Sequence, residues 1–149
     1  MSLYGYNRHT TPHIAKFSEQ ATMFCQPFSP SVPTTPAYAS MLTGCDCFGT
    51  DVVGLRHKGK IESPLLPKIL ERAGYSTCCV GFSGNPSSHG FQNYLEYESW
   101  DQSGSMPKAH ALNEVTIPYL RKVSSDSNPF FLFLRHMDPH SPYLPPEPF

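Results

Sequence analysis

The sequence predicts an α/β fold with a mostly parallel sheet, on three observations. Two runs, residues 76–82 (Ser-Thr-Cys-Cys-Val-Gly-Phe) and 130–134 (Phe-Phe-Leu-Phe-Leu), are mainly apolar, the pattern of strands covered on both faces. Segments with apolar residues at helical spacing alternate with them. Hydroxyl-proline pairs at Thr11-Pro12, Thr35-Pro36 and Ser63-Pro64 read as helix starts, a capping side chain followed by a residue that needs no N–H partner. Helices alternating with two-sided strands give a sheet covered by helices.

The elements follow in order. Thr11-Pro12 opens a short helix to about residue 21, carried by Ile14, Phe17 and Ala21. Residues 22–28 are largely apolar and read as a short strand ending at Pro27. Thr35-Pro36 opens a helix that ends near Thr43, with Gly44 as its stop. Ser63-Pro64 opens the next helix, in which Leu66, Ile69, Leu70 and Ala73 share a face and Gly74 closes the end. The strand at 76–82 follows. Residues 108–123 form a longer helix with Ala111, Leu112, Val115, Tyr119 and Leu120 near one stripe. Pro118 within it predicts a kink or a break into two pieces. The last strand is 130–134. Ligands of such sheets bind beyond the carboxyl ends of the strands. Two segments occupy that place: the residues after Phe82, and Arg135-His136-Met137-Asp138-Pro139-His140.

With 149 residues, 39% hydrophobic and 15% charged, the chain is long enough for one domain with a core and is not of disordered composition. Net charge is −1, with 11 basic and 12 acidic residues, and no basic stripe points to nucleic acid. No apolar stretch approaches the roughly 18 residues needed to span a membrane. Of five cysteines, Cys78 and Cys79 lie in an apolar run and Cys25 in the expected first strand, so all three read as core. Cys45-Asp46-Cys47 has metal-binding residue types but no second pair at zinc-site spacing. This usage favours a reducing compartment without fixing one.

Three segments carry candidate chemistry. In Thr34-Thr35-Pro36 a hydroxyl stands at the start of a helix, where free N–H groups and the helix dipole favour an anion such as a phosphate or sulfate ester. Thr34 is therefore a candidate nucleophile, although local sequence alone favours simple caps for two threonines before a helix. In His136-Met137-Asp138-Pro139-His140 the prolines exclude a regular zinc helix. The segment is a loop, in which His140 could hold an anion or protonate a leaving group, or merely support the turn. Residues 82–89 (Phe-Ser-Gly-Asn-Pro-Ser-Ser-His) are small and polar, suited to lining a pocket or to an ordinary surface loop.

Together these segments resemble the sulfatase-like branch of the alkaline phosphatase superfamily. The run from Thr34 to Gly44, Thr-Thr-Pro-Ala-Tyr-Ala-Ser-Met-Leu-Thr-Gly, aligns without a gap on the hallmark C/S-x-P-S/A-R-x-x-L-x-T-G, with Met41 at the Leu position. Tyr4-Gly5-Tyr6 and Thr11-Pro12-His13-Ile14 look like the Y-G-x and T-P-N-I/L stretch. Residues 66–81 look like the family's helix–strand unit, and 129–146 like its P-F-F-L-F-L…D-P-H-x-P-Y segment. The likeness covers nearly the whole chain and implies a three-layer α/β/α sandwich of the alkaline phosphatase type, here incomplete. It implies one partial catalytic domain over residues 1–149, without the first strand and the C-terminal part.

The resemblance also implies roles. Thr34 stands where sulfatases carry the Cys or Ser that becomes formylglycine, which threonine cannot become. The superfamily's phosphodiesterases and phosphotransferases use a plain Thr on a divalent metal, and Thr34 matches that use as nucleophile and metal contact. Tyr38 replaces the hallmark Arg, Asn85 lies where the family's G-K-W-H segment would run, and His140 matches the substrate-contacting His of D-P-H. These three are the expected substrate contacts. The cofactor implied is a divalent ion (Ca, Mg, Mn or Zn), whose main ligands, an Asp pair upstream and an Asp-His/Asn pair downstream, are absent here. The expected activity is hydrolysis of a small anionic sulfate or phosphate ester by the parent protein, the isolated segment being inactive. The alternative is a non-catalytic sulfatase-like binding or scaffold domain, and a third reading is a formylglycine sulfatase with an aberrant site.

Overall fold

The computed structural model describes residues 1–55, 61–82, 89–99, 108–141 and 143. A 3₁₀ turn at Ser2–Tyr4 leads to α1 (Pro12–Ser18), α2 (Thr34–Thr43) and α3 (Cys47–Thr50). Then come α4 (Leu66–Arg72), β1 (Ser76–Gly81), β2 (Asn93–Glu96), α5 (Lys108–Ser124) and β3 (Phe130–Leu134).

The three described strands form one parallel sheet in the order β2-β1-β3. Cys79 pairs with Tyr94 on one side and Phe133 on the other. Side chains alternate across the pleat, and the two faces pack differently. Cys78, Val80, Leu95, Leu132 and Leu134 face Ala111 and Leu112 of α5 in one core, with Tyr97 at its end. On the opposite face Phe91 stacks on Phe131 and Phe133, and Tyr38 of α2 meets Phe133 edge-on. Phe91 also packs on a second core of Ala39, Leu42, Val52, Ile61 and Leu65. The sheet therefore lies between α5 and the α2–α4 layer, as an α/β/α sandwich requires.

Several expectations are corrected. Residues 22–28 form no strand: no described strand runs beside them, so a ladder has no partner. Phe24 is 71% exposed and Cys25 is exposed rather than core. The helix expected from Ser63-Pro64 begins two residues later, with Leu65 at its N-cap and Pro67 in its first turn. Both prolines were sterically allowed as starts; the one at 67 is buried and its neighbour Leu65 joins the core. Gly74, at φ +88°, closes α4, and the Tyr75 N–H returns to the Leu70 carbonyl at 3.0 Å. The first helix stops at Ser18, short of residue 21. α5 runs through Pro118 as one helix, not two. Strand β2 and helix α3 were not foreseen. α3 is capped by Asp46, whose carboxylate accepts from the N–H groups of Phe48 (3.1 Å) and Gly49 (2.9 Å).

Candidate functional site at the strand ends

All three strands point the same way, so Phe82, Tyr97 and Arg135 emerge together at their carboxyl ends. Backbone bonds extend the ladder there: Tyr97 N–H to the Gly81 carbonyl (3.1 Å) and Arg135 N–H to the Val80 carbonyl (3.0 Å). Side chains complete the knot. The Tyr97 hydroxyl donates to the Arg135 carbonyl at 2.6 Å, and the Tyr94 hydroxyl donates to the Phe82 carbonyl. Burial pushes the Tyr97 hydroxyl up to about 12, with the Asp138 carboxylate adding to the shift, so it remains a donor.

Arg135 is the central side chain of this end. It is 1% exposed. Its Nη1 donates to the Phe82 carbonyl at 2.9 Å, and its Cζ lies 4.0 Å from the Phe82 ring centroid and 5.1 Å from that of Tyr38. The arginine chain crosses Gly81 so closely that a Cβ there would stand 2.9 Å from Arg135 Cδ. Glycine at 81 is thus a space requirement, independent of backbone conformation.

Helix α2 meets this knot through Tyr38, one turn into the helix. Thr34 is its first residue and exposed, and no side chain caps the helix, whose N-cap is Pro33. The Ala37 N–H returns to the Pro33 carbonyl at 3.1 Å. Pro36 has no N–H, which leaves the N–H groups of Thr34 and Thr35 as the helix's open donors. Thr34 and Tyr38 are four apart and share a helix face, and Tyr38 is held by Phe133 and Arg135. Thr35 is not the cap expected of it: it is buried and donates to the Leu55 carbonyl at 3.1 Å. A bond from Ser40 Oγ to Ser31 Oγ (3.1 Å) also pins the helix to its approach.

The other expected contacts fall as follows. His140 is exposed on the turn after β3. Its N–H donates to the Met137 carbonyl at 3.0 Å, and its Nδ1 lies 2.8 Å from the Ser141 carbonyl, which makes Nδ1–H the donor. It stands five residues beyond Arg135 on the same connection. Asn85 lies outside the described residues. The feature that sequence reasoning passed over is Arg135 itself. The available signal was a charged residue placed directly after a wholly apolar strand, where a strand end meets its ligand.

The divalent ion implied by the resemblance does not fit the described residues. No group of three or more His, Cys, Asp or Glu side chains among them could hold one. Asp46 of Cys45-Asp46-Cys47 is engaged as a helix cap. All five cysteines are free. A cavity of about 390 Å³ beside α4, bounded by Leu65, Lys68, Arg72 and His89, shares no residue with the Thr34–Tyr38–Arg135 face. No helix among the described residues is long and apolar enough to cross a membrane.

Comparison with known proteins agrees with this fold. The family model described as Sulfatase matches residues 1–149. No curated protein matches the sequence. Among solved structures, the phosphonate monoester hydrolase of Agrobacterium radiobacter superposes with a TM-score of 0.79 at 16% identity, over 99% of this chain and 40% of that one. The C-terminal periplasmic domain of EcEptC from Escherichia coli, in complex with Zn, superposes with a TM-score of 0.64 at 19% identity, over 99% and 42%. A second structure of that domain gives 0.57 at 21% identity, again over 99% and 42%. These likenesses show the alkaline phosphatase-like fold, and the chain spans about two fifths of the length of these structures.

Proposed function

The chain belongs to the sulfatase family, and on that premise we propose that it is part of the catalytic domain of a hydrolase of phosphate or sulfate esters, with Thr34 as nucleophile. The carrying observation is the position of Thr34: an exposed hydroxyl at the open start of α2, one turn before a tyrosine packed on the strand-end arginine. In this reading Thr34 Oγ attacks the phosphorus or sulfur and the ester oxygen leaves with its electron pair. A threonyl ester forms and water then cleaves it. The open N–H groups of α2 favour the charge on the transferred group. Tyr38, His140 and Asn85 are the proposed substrate contacts, His140 giving a proton to the leaving oxygen.

A threonine hydroxyl needs a metal or a base to be activated. A divalent ion is proposed for the complete protein, in keeping with the Zn complex of the EcEptC domain. Its ligands would come from outside the described residues, so no step is routed through it here. The coverage of two fifths of the solved structures supports the partial-domain reading, in which the isolated segment is inactive. A second reading, a binding or scaffold domain, is favoured by one observation: Tyr38 occupies the hallmark Arg position.

The test is Thr34→Ala in the complete protein against a panel of phosphodiester, phosphomonoester and sulfate ester substrates. Turnover should vanish while the fold persists. Unchanged turnover in the variant refutes the nucleophile. Absence of turnover in the natural protein, with metal supplied, favours the binding domain.

A further inference from the structure

We propose that Arg135 is the charge-bearing positioning residue of this site: a buried guanidinium that makes the strand ends receptive to an oxyanion while holding the Tyr38 ring and the Phe82 carbonyl in place. The inference rests on the site assignment above and extends it to a residue not previously given a role.

Four observations carry it. Arg135 is 1% exposed, yet arginine does not lose its charge at any ordinary pH. No carboxylate forms an ion pair with it among the described residues. Its Nε is buried without a hydrogen-bond partner among them. The charge is instead met by neutral groups, the Phe82 carbonyl, the Tyr94 hydroxyl and the faces of Phe82 and Tyr38. Neutral dipoles and ring faces offset part of the desolvation of a cation, but they leave its net charge uncancelled. In a weakly screening interior that charge acts over several ångströms.

The surroundings give the field a direction. Behind the guanidinium lie the sheet and its apolar face, with Phe133 against Tyr38. The Tyr38 ring beneath it stands one turn after Thr34 on α2, whose open N–H groups add partial positive charge at the helix start. The opposing carboxylate is Asp138, which is sensed by Tyr97 along with Arg135 and is itself exposed to solvent. Gly81 supports the same purpose, since any side chain there would displace the arginine. The ligand this arrangement takes is a tetrahedral oxyanion, the part shared by phosphate and sulfate esters.

The experiment measures binding of inorganic phosphate to the complete protein at fixed pH and ionic strength, by calorimetry. Arg135→Met keeps the length and apolar contacts and removes the charge. It should weaken phosphate binding by about tenfold or more, the scale of one unit charge just beyond contact in a protein interior. Arg135→Lys keeps the charge and should restore most of the affinity. Lys122→Met, an exposed cation on α5, should change nothing. Unchanged phosphate affinity in a folded Arg135→Met variant overturns the inference. So does equal weakening by Met and Lys, which assigns the effect to shape. Should Arg135→Met not fold, the natural protein labelled with ¹⁵N at arginine decides. The buried Nε–H resonance should move with the phosphate titration, and a stationary resonance overturns the inference. Thr34→Ala should still bind phosphate, so lost turnover there and lost binding in Arg135→Met report on separate claims. No phosphate binding by the natural protein overturns the inference about Arg135, while turnover in Thr34→Ala still decides the nucleophile.

Discussion

Gly81→Ala is the perturbation whose outcome the strand-end geometry determines most sharply. The added methyl would meet Arg135 Cδ at 2.9 Å, the Tyr94 hydroxyl at 3.3 Å and Arg135 Cβ at 3.4 Å. The arginine cannot swing aside freely. Its far end is bound to the Phe82 carbonyl and lies against two rings, and its near end is strand backbone bonded to Val80. Overpacking of this kind costs about 1–3 kcal/mol. Alanine gains about 0.5–1 kcal/mol over glycine in a strand. The net expectation is a protein less stable by up to about 2.5 kcal/mol. Urea denaturation of the complete protein reads this as a lowered midpoint at constant slope. The decisive arm repeats Gly81→Ala in an Arg135→Ala background, where the obstructing chain is gone. There the substitution should be neutral or slightly stabilising. An equal cost in both backgrounds refutes the claim that Arg135 is what Gly81 makes room for.

Other expectations follow from single contacts. Gly44, at φ +73°, ends α2 with open space around it, so Gly44→Ala costs only the backbone strain of a left-handed residue, about 1–2 kcal/mol by denaturation. Asp46→Ala removes the acceptor of two N–H groups and should cost about 0.5–2 kcal/mol. Tyr97 and Tyr119 are each pushed up from 10.0 to about 12, mainly by burial. The unfolded chain therefore releases these protons first. Their contribution to stability is complete below pH 10 and is lost as pH rises toward about 12. An alkaline unfolding series should show this loss, and Tyr97→Phe should make it shallower; an identical alkaline profile refutes the assignment.

What could be read from the sequence, and what could not, divides along a physical line. β1 and β3 were legible because both faces of each strand are covered, which demands apolar residues throughout. α2 was legible because Gly44 marks its end, although the helix begins at Thr34, ahead of the Thr35-Pro36 pair that reads as its start. Residues 22–28 share that apolar composition without being a strand, since composition does not supply a neighbour to pair with. β2 failed in the opposite sense. Asn93-Tyr94-Leu95-Glu96 is short and mixed, and it is held by its ladder to β1 and by reciprocal bonds between Thr77 and Gln92. Thr35 looked like a cap because its true partner, the Leu55 carbonyl, lies 20 residues away. The candidate site divides in the same way. The start of α2 and the loop of His140 showed in local motifs. The role of Arg135 arises only when Phe82, 53 residues earlier, meets it in space.

The central claim is that the Thr34 oxygen takes up the transferred group. Its most direct test is mass spectrometry of the complete protein, quenched in acid during turnover of a phosphate or sulfate ester. The account predicts one phosphoryl or sulfuryl group on the peptide that contains Thr34, absent in Thr34→Ala. A group found on another residue, or active turnover with this peptide unmodified in both forms, contradicts it.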